Sequence, residues 1–213
     1  MESKNRPLKH KTMKERPILF STEMVRAILD GRKSQTRRII KPQPEIIKKV
    51  PYYIELEQHW GKLSFTYSNG ESRLVNPKYD IGDVLWVRET WSPIEFEDGT
   101  HFRYKASFVE NNCLNPKWRP SIFMPKEASR IKLKVTNIRV ERLQDITEED
   151  AVAEGIEPLS EYDPKKYGWR FKDYLHNSSC LPKASYQTLW ESINGKGSWE
   201  VNPWVWVIEF EKL

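Results

Sequence analysis

The sequence predicts a mainly β protein with peripheral α-helices (α+β), built as a small β-barrel with short helices and loop insertions. Three observations favour this class. About six to eight segments show the two-residue alternation or the unbroken apolar run of strands, and three segments have helical start signals and spacing. Strands do not alternate with helices as in a parallel α/β sheet. At 213 residues, 38% of them hydrophobic, the chain is long enough for one well-buried domain.

The first elements are predicted to be a strand, a helix and a second strand. Residues 17–20 form an apolar run, and residues 36–40 precede a Lys-Pro-Gln-Pro sequence that stops a strand. Between them, residues 22–30 place apolar side chains on one helical face, with Ser21 or the next residue as the N-cap. Gly31 then takes the C′ position, where a left-handed backbone commonly ends a helix.

The middle of the chain predicts three further β features. Residues 52–56 and 63–67 alternate like the two strands of a hairpin. Residues 84–87 are apolar on both faces, which predicts a central strand and not an edge. A further hairpin is expected around residues 102–104, inside a segment that otherwise has an irregular sequence.

The last third of the chain predicts a long strand, two helices and a final strand. Within residues 131–140 the apolar alternation slips by one position, which predicts a β-bulge near residues 136–137. Residues 147–154 begin with a Thr cap followed by three acids and predict a short helix. Residues 182–194 predict a longer helix, and residues 204–210 predict the last strand.

Composition predicts the domain organisation. Residues 1–16 are polar, basic and without periodicity, which predicts a disordered tail. Residues 17–213 are predicted to form a single domain with three irregular insertions, at about residues 45–78, 92–125 and 157–181.

Positive charge is concentrated in two segments. Residues 1–16 contain six Lys or Arg against two Glu, and residues 26–49 contain eight against two acids, although the formal net charge of the chain is only +5. This concentration predicts attraction to a polyanion such as RNA. A tail that serves solubility alone explains residues 1–16 equally well.

Membrane, metal and cofactor classes are disfavoured. No apolar run approaches the ~20 residues of a membrane span, and the N-terminus lacks the apolar core of a signal peptide. Cys113 and Cys180 are far apart, and no two His have metal-binding spacing. We therefore expect a cytoplasmic protein with no membrane contact, no metal and no cofactor.

The most distinctive segment is Gly31–Arg38, with the sequence Gly-Arg-Lys-Ser-Gln-Thr-Arg-Arg. Four cations, one amide and two hydroxyls follow directly after a helix end of fixed geometry. This arrangement suits the binding of an anion or a nucleotide. The alternative is a solvated loop that carries many charges.

The pattern Gly31-x-Lys33-x-x-Thr36-x-Arg38 resembles the G-x-K-x-x-E-x-R signature of the ASCH superfamily, whose relatives include the RNA-binding PUA domains. The chain departs at Thr36, where the signature often has Glu; bacterial N(4)-acetylcytidine amidohydrolases, which are minimal ASCH proteins, carry Thr there. The resemblance, closest to ASCH-domain proteins of phages and prophages, covers about residues 16–213 and implies a PUA-like barrel. Its further support lies in residues 81–91, 124–131, 147–156 and the Trp-rich C-terminus.

The resemblance implies three catalytic residues, Lys33, Thr36 and Glu154. A Thr hydroxyl is a weak nucleophile that needs an adjacent base, and Lys33 can supply one if burial or neighbouring Arg residues lower its pKa. Glu154 ends its helix, where the macrodipole disfavours a carboxylate, and this suits a group that protonates a leaving amine. The alternatives are a common strand residue for Thr36, a phosphate-binding cation for Lys33 and a solvated carboxylate for Glu154.

Six further residues are expected to bind the substrate. Arg38 or a backbone amide would stabilise an oxyanion, and Trp86 or Trp91 would stack on the base. Core packing is the alternative for each Trp, and an ion pair is the alternative for Glu89. The six are Gly31, Arg32, Arg38, Trp86, Glu89 and Trp91.

Three functions of a nucleoside- or RNA-binding ASCH protein stay open. The first is an amidohydrolase that removes an acyl group from a modified cytidine. The second is an RNA-binding module without catalysis, and the third is a ribonuclease, an activity that some ASCH proteins show. Thr36 favours the first, whereas the two basic segments favour the second and third.

Overall fold

A computed structural model describes residues 13–41, 43, 54–57, 62–66, 72–109, 116–159, 168–170 and 181–213. These residues contain three α-helices and twelve strands. The helices are α1 (Thr22–Leu29), α2 (Glu148–Ala153) and α3 (Pro182–Asn194). The strands are β1 (Glu15–Leu19), β2 (Gln35–Ile39), β3 (Ile54–Glu57), β4 (Lys62–Thr66), β5 (Ser72–Val75), β6 (Val84–Arg88), β7 (Trp91–Phe96), β8 (Gly99–Tyr104), β9 (Lys132–Arg142), β10 (Glu157–Pro158), β11 (Trp169–Arg170) and β12 (Trp204–Lys212).

Five strands form the main sheet in the order β1-β6-β9-β12-β2. β1 is parallel to β6, and the other neighbours are antiparallel. The mainly β architecture with peripheral helices is therefore confirmed, as is the interior position of β6. Within the described residues β1 and β2 are edges that do not pair with each other, so the sheet is open where the sequence predicts a closed barrel.

The two edges of this sheet nevertheless come close together. Arg38 Nη2, on β2, donates a hydrogen bond of 2.8 Å to Leu19 O, on β1. The guanidinium carbon of Arg38 also lies 5.6 Å from the ring centroid of Phe20. A side chain therefore spans the gap that backbone hydrogen bonds close in a barrel.

The long strand β9 contains the predicted bulge. Glu209 of β12 pairs with Asn137, but the next residue, Phe210, pairs with Val135, so Thr136 has no partner in the register. One extra residue on β9 restores the apolar phase, because it lets the residues on both sides of the bulge face the same core. The position predicted from the slipped alternation is confirmed.

The helices begin where the sequence signals predict. Ser21 Oγ accepts a hydrogen bond of 3.3 Å from Met24 N in α1, and Thr147 Oγ1 accepts one of 3.1 Å from Asp150 N in α2. Pro182 lies in the first turn of α3. The apolar faces of all three helices contribute to a single core cluster with the main sheet.

The predicted insertions contain more regular structure than their sequences suggest. β3 and β4 pair as the predicted hairpin, and β5 adds a third strand. β7 and β8 form a six-residue-long hairpin in place of a short one within an irregular segment. β10 and β11 pair in a short ribbon at either side of residues 160–167, which lie outside the described residues along with 171–180.

The first strand starts inside the predicted tail. Glu15 and Arg16 pair with β6, and Arg16 Nε donates a hydrogen bond of 3.1 Å to Asp83 Oδ2. The boundary predicted at residue 16 is therefore too late, because pairing with β6 orders these two polar residues. Residues 1–12 and both cysteines lie outside the described residues. In the part of the chain that is described, no helix combines the length and hydrophobicity that crossing a membrane requires.

Candidate functional site

The backbone after α1 is fixed by a turn and two hydrogen bonds. Gly31 has a φ of +75°, the left-handed conformation predicted for it, and turns the chain out of the helix. Ala27 O then accepts hydrogen bonds from Arg32 N at 2.8 Å and from Lys33 N at 3.0 Å. These bonds hold the motif against the end of α1 before β2 begins.

Lys33 and Glu154 face each other in an isolated antiparallel bridge. Beside it, Ser34 N donates a hydrogen bond of 2.9 Å to Ala153 O. Lys33 Nζ lies 2.7 Å from Glu154 Oε2 and 2.9 Å from the carbonyl oxygen of Glu154. Lys33 is 3% exposed and Glu154 is 2% exposed. The structure therefore brings together two of the three residues predicted to be catalytic.

Arg37 joins this pair to two further carboxylates. Its guanidinium donates hydrogen bonds to Glu154 Oε1 at 3.1 Å, to Asp150 Oδ2 at 2.8 Å and to Glu141 Oε1 at 2.9 Å. The side chain of Arg37 has no exposed surface. Each carboxylate oxygen of Glu154 thus accepts from a different cation, which fixes the orientation of the carboxylate.

Burial and charge shift the pKa values of both cations. Burial lowers the pKa of Lys33 below its ordinary 10.5, against the opposing charge of Glu154, and Arg38 and Arg37 lower it further. Burial alone also lowers the pKa of Arg37, but the charge of Glu154 and other neighbours outweighs it, so the pKa of Arg37 is raised. Burial of Lys33 therefore lowers its pKa, as a lysine that acts as a base requires.

A cleft of about 250 Å³ opens beside this cluster. Its polar lining includes Thr36, Arg38 and Glu154, and α3 contributes Tyr186, Leu189 and Trp190 to the same cleft. Concave sites that mix an apolar wall with a few polar groups are the usual form of small-ligand sites. The predicted nucleophile and the predicted acid therefore lie in one cleft, with Lys33 bonded to the acid.

Tyr186 belongs to the same electrostatic cluster. The guanidinium carbon of Arg37 lies 5.8 Å from the Tyr186 ring centroid. Burial raises the pKa of Tyr186 well above 10, and the charge of Glu154 acts in the same direction. Its hydroxyl is therefore protonated at neutral pH and able to donate a hydrogen bond.

The cleft lining includes polar residues for which the sequence predicts no site role, among them Arg37, Lys41 and Tyr186. Arg37 belongs to the distinctive motif but was interpreted only as a neighbouring cation. Tyr186 shares a helical face with apolar residues, and this pattern predicts core packing. Lys41 follows the end of β2, where a cation is ordinary.

Gly31 and Arg32 do not line the cleft, although both were predicted to bind substrate. Gly31 shapes the turn described above. Arg32 Nη1 donates a hydrogen bond of 3.1 Å to Gly155 O, and its Nη2 donates one of 3.0 Å to Asp30 Oδ2. Both residues support the backbone that carries Lys33.

Trp86, Glu89 and Trp91 also lie outside the cleft lining. Glu89 is 1% exposed, and its two carboxylate oxygens accept hydrogen bonds of 2.9 and 3.0 Å from Arg130. The ring of Trp91 packs edge-on against Phe102, 5.6 Å between centroids, and Trp86 is half-buried on β6. An ion pair and core packing, the alternatives that the sequence left open, describe the contacts of Glu89 and Trp91.

Within the described ranges, no group of three or more His, Cys, Asp or Glu is arranged to hold a metal ion. The acids of the cluster instead accept hydrogen bonds from Lys33, Arg37 and other cations. A comparison of the chain with protein-family models, with curated proteins and with solved structures finds no match. Assignment of a function therefore depends on the geometry of the cleft.

Proposed function

We propose that this chain is an ASCH-type protein that binds a modified cytidine in the cleft and hydrolyses its N4-acyl group. The observation that carries the proposal is the buried hydrogen bond of 2.7 Å between Lys33 and Glu154, with Thr36 in the wall of the same cleft. These are the three groups that the amidohydrolase resemblance requires. On this proposal the open sheet corresponds to a PUA-like barrel, in which the Arg38 side chain spans the gap between β1 and β2.

The Lys33–Glu154 pair can supply both a base and an acid. Transfer of one proton along their hydrogen bond converts the ion pair into a neutral amine and a neutral carboxyl group. Burial favours this neutral form, because two charges are costly in an apolar environment. Arg37 donates a hydrogen bond to the other oxygen of Glu154 and holds the carboxyl group in position for this transfer.

The proposed reaction has two steps. The Thr36 oxygen attacks the acyl carbon while its proton passes to the Lys33 amine, and the bond from the acyl carbon to N4 breaks as N4 takes the proton of Glu154. The products are an ester on Thr36 and an unmodified cytidine. Water then hydrolyses the ester and releases the carboxylic acid. Arg38 stabilises the negative charge that develops on the acyl oxygen.

The test is incubation of the purified protein with N(4)-acetylcytidine, with cytidine and acetate followed by chromatography. We expect release by the wild type and none by Thr36→Val, which removes the hydroxyl and keeps the shape of the side chain. Lys33→Met and Glu154→Gln should also lose activity.

The matched control is Ser34→Ala. Ser34 is an exposed hydroxyl of the same motif and does not line the cleft, so its removal should leave activity unchanged. Circular dichroism establishes that each variant is folded. A folded wild type that releases no cytidine would remove this substrate from the proposal. Equal activity of Thr36→Val and the wild type would remove the nucleophilic role of Thr36.

A further inference from the structure

A second cleft, of about 340 Å³, adjoins the first at Arg38. Arg38, Ile39 and Lys41 line both clefts, so the two clefts share the end of β2 and Lys41. Leu19 of β1 and Tyr79 line the second cleft as well. Because Arg38 and Lys41 line both clefts, a ligand longer than a single nucleoside can contact both.

The second cleft combines a cationic rim with an apolar floor. Arg38, Lys41 and Lys78 contribute three positive charges, and none of the described residues that line it is Asp or Glu. The buried residues of the hydrophobic core among its lining are Ile18, Tyr79, Trp206 and Ile208. An apolar surface with cations along its edge suits a base and ribose joined to phosphate.

Two of these cations are held in place by neighbouring groups. Leu19 O and the ring of Phe20 position Arg38, whose guanidinium has N–H groups beyond the one that Leu19 O accepts. Lys78 Nζ lies 5.3 Å from the ring centroid of Tyr79. A planar guanidinium with further N–H donors matches the geometry of a phosphate.

We propose that the second cleft is a nucleotide subsite and that the chain takes a short single strand of RNA. One nucleoside lies in the first cleft and its neighbour in the second, and the phosphate between them is bound by the three cations of the second cleft, Arg38, Lys41 and Lys78. The inference rests on the proposed nucleoside binding by the first cleft. A free nucleoside occupies the first cleft alone, so Lys78 does not contribute to its binding affinity.

Calorimetric titration with cytidine and with the dinucleotide cytidylyl-cytidine tests this subsite. The wild type should bind the dinucleotide more tightly than cytidine. Lys78→Gln should weaken dinucleotide binding by about two- to fivefold, the range of an exposed ion pair, and leave cytidine binding unchanged.

Lys117→Gln is the matched control, because Lys117 is exposed and lines neither cleft. It makes the same change in net charge and should leave both affinities unchanged. Equal affinity for the two ligands, or equal effects of the two Lys variants, overturns the subsite. If cytidine binds and the dinucleotide binds no more tightly, only the proposed subsite is wrong. If neither ligand binds, the proposed nucleoside site is wrong as well.

Discussion

Lys33 and Glu154 are 121 residues apart in the chain, yet Lys33 Nζ lies 2.7 Å from Glu154 Oε2 in a buried site. Arg37 donates to the other oxygen of the same carboxylate at 3.1 Å. Removing such charges from water is costly, and their attraction offsets the cost only if the geometry is good and the remaining hydrogen bonds are made. The free energy of unfolding should therefore fall when one partner of the pair is replaced.

Replacement of Glu154 should destabilise the fold more than replacement of Lys33. Glu154→Leu leaves the buried Lys33 ammonium without its carboxylate, whereas in Lys33→Met the carboxylate of Glu154 keeps Arg37. Breaking a buried ion pair from one side costs about 3–5 kcal/mol, and we expect Glu154→Leu at the upper end of that range. Urea unfolding at neutral pH measures both losses. The reverse order would contradict the assigned geometry.

Lys33 should release its proton at a lower pH than an ordinary lysine. Burial lowers its pKa below 10.5 and Glu154 raises it, so Glu154→Gln should lower the pKa of Lys33 further. The folded state then binds this proton less tightly than the unfolded chain does. Lys33 consequently reduces the free energy of unfolding below its folded pKa, and this loss disappears as the pH rises towards 10.5. The ¹³Cε chemical shift of Lys33 follows the titration, and a midpoint at or above 10.5 would be inconsistent with it.

Gly31→Ala should destabilise the protein through backbone strain alone. At φ +75° a Cβ is disfavoured, while among the described residues no atom beyond Gly31 and its two chain neighbours lies within 4 Å of the position that it would occupy. The expected loss in unfolding free energy is about 1–2 kcal/mol. Gly31→Asn is the control, because Asn tolerates the left-handed region and should cost less. Thermal unfolding compares the two, and equal losses would point to a steric cause.

Glu89→Gln should lower stability without affecting the cleft. The buried carboxylate of Glu89 accepts two hydrogen bonds from Arg130, and neither residue lines the cleft. Weakening this contact should cost about 1–3 kcal/mol of unfolding free energy. The affinity for cytidine, measured by calorimetry, should equal that of the wild type. Loss of cytidine binding with an unchanged free energy of unfolding would instead indicate that Glu89 binds the substrate.

Local signals predicted the elements that short-range physics controls. The caps at Ser21 and Thr147 and the left-handed turn at Gly31 depend on residues within one helical turn. The bulge at Thr136 follows from alternation along a single strand, because the apolar phase must reach the same core on both sides. The sequence therefore predicts the caps, the turn and the bulge without any long-range contact.

Long-range placement explains the predictions that the structure changed. Alternation predicts which face of a strand is buried but not whether a sheet closes, and here β1 and β2 approach through Arg38 without pairing. Glu89 and Trp91 are residue types that often bind ligands. Their contacts with Arg130 and Phe102 form only when β6, β7 and β8 pack together.

The sequence by itself determined the mainly β class, most element positions and the motif that carries Lys33, Thr36 and Arg38, because these depend on periodicity and local turns. The tertiary structure alone decided that Lys33 meets Glu154, that Arg37 joins two further carboxylates to them, and that two clefts meet at Arg38. The reason is physical: a hydrogen bond of 2.7 Å between residues 121 apart requires two elements to dock, and no local pattern encodes that docking.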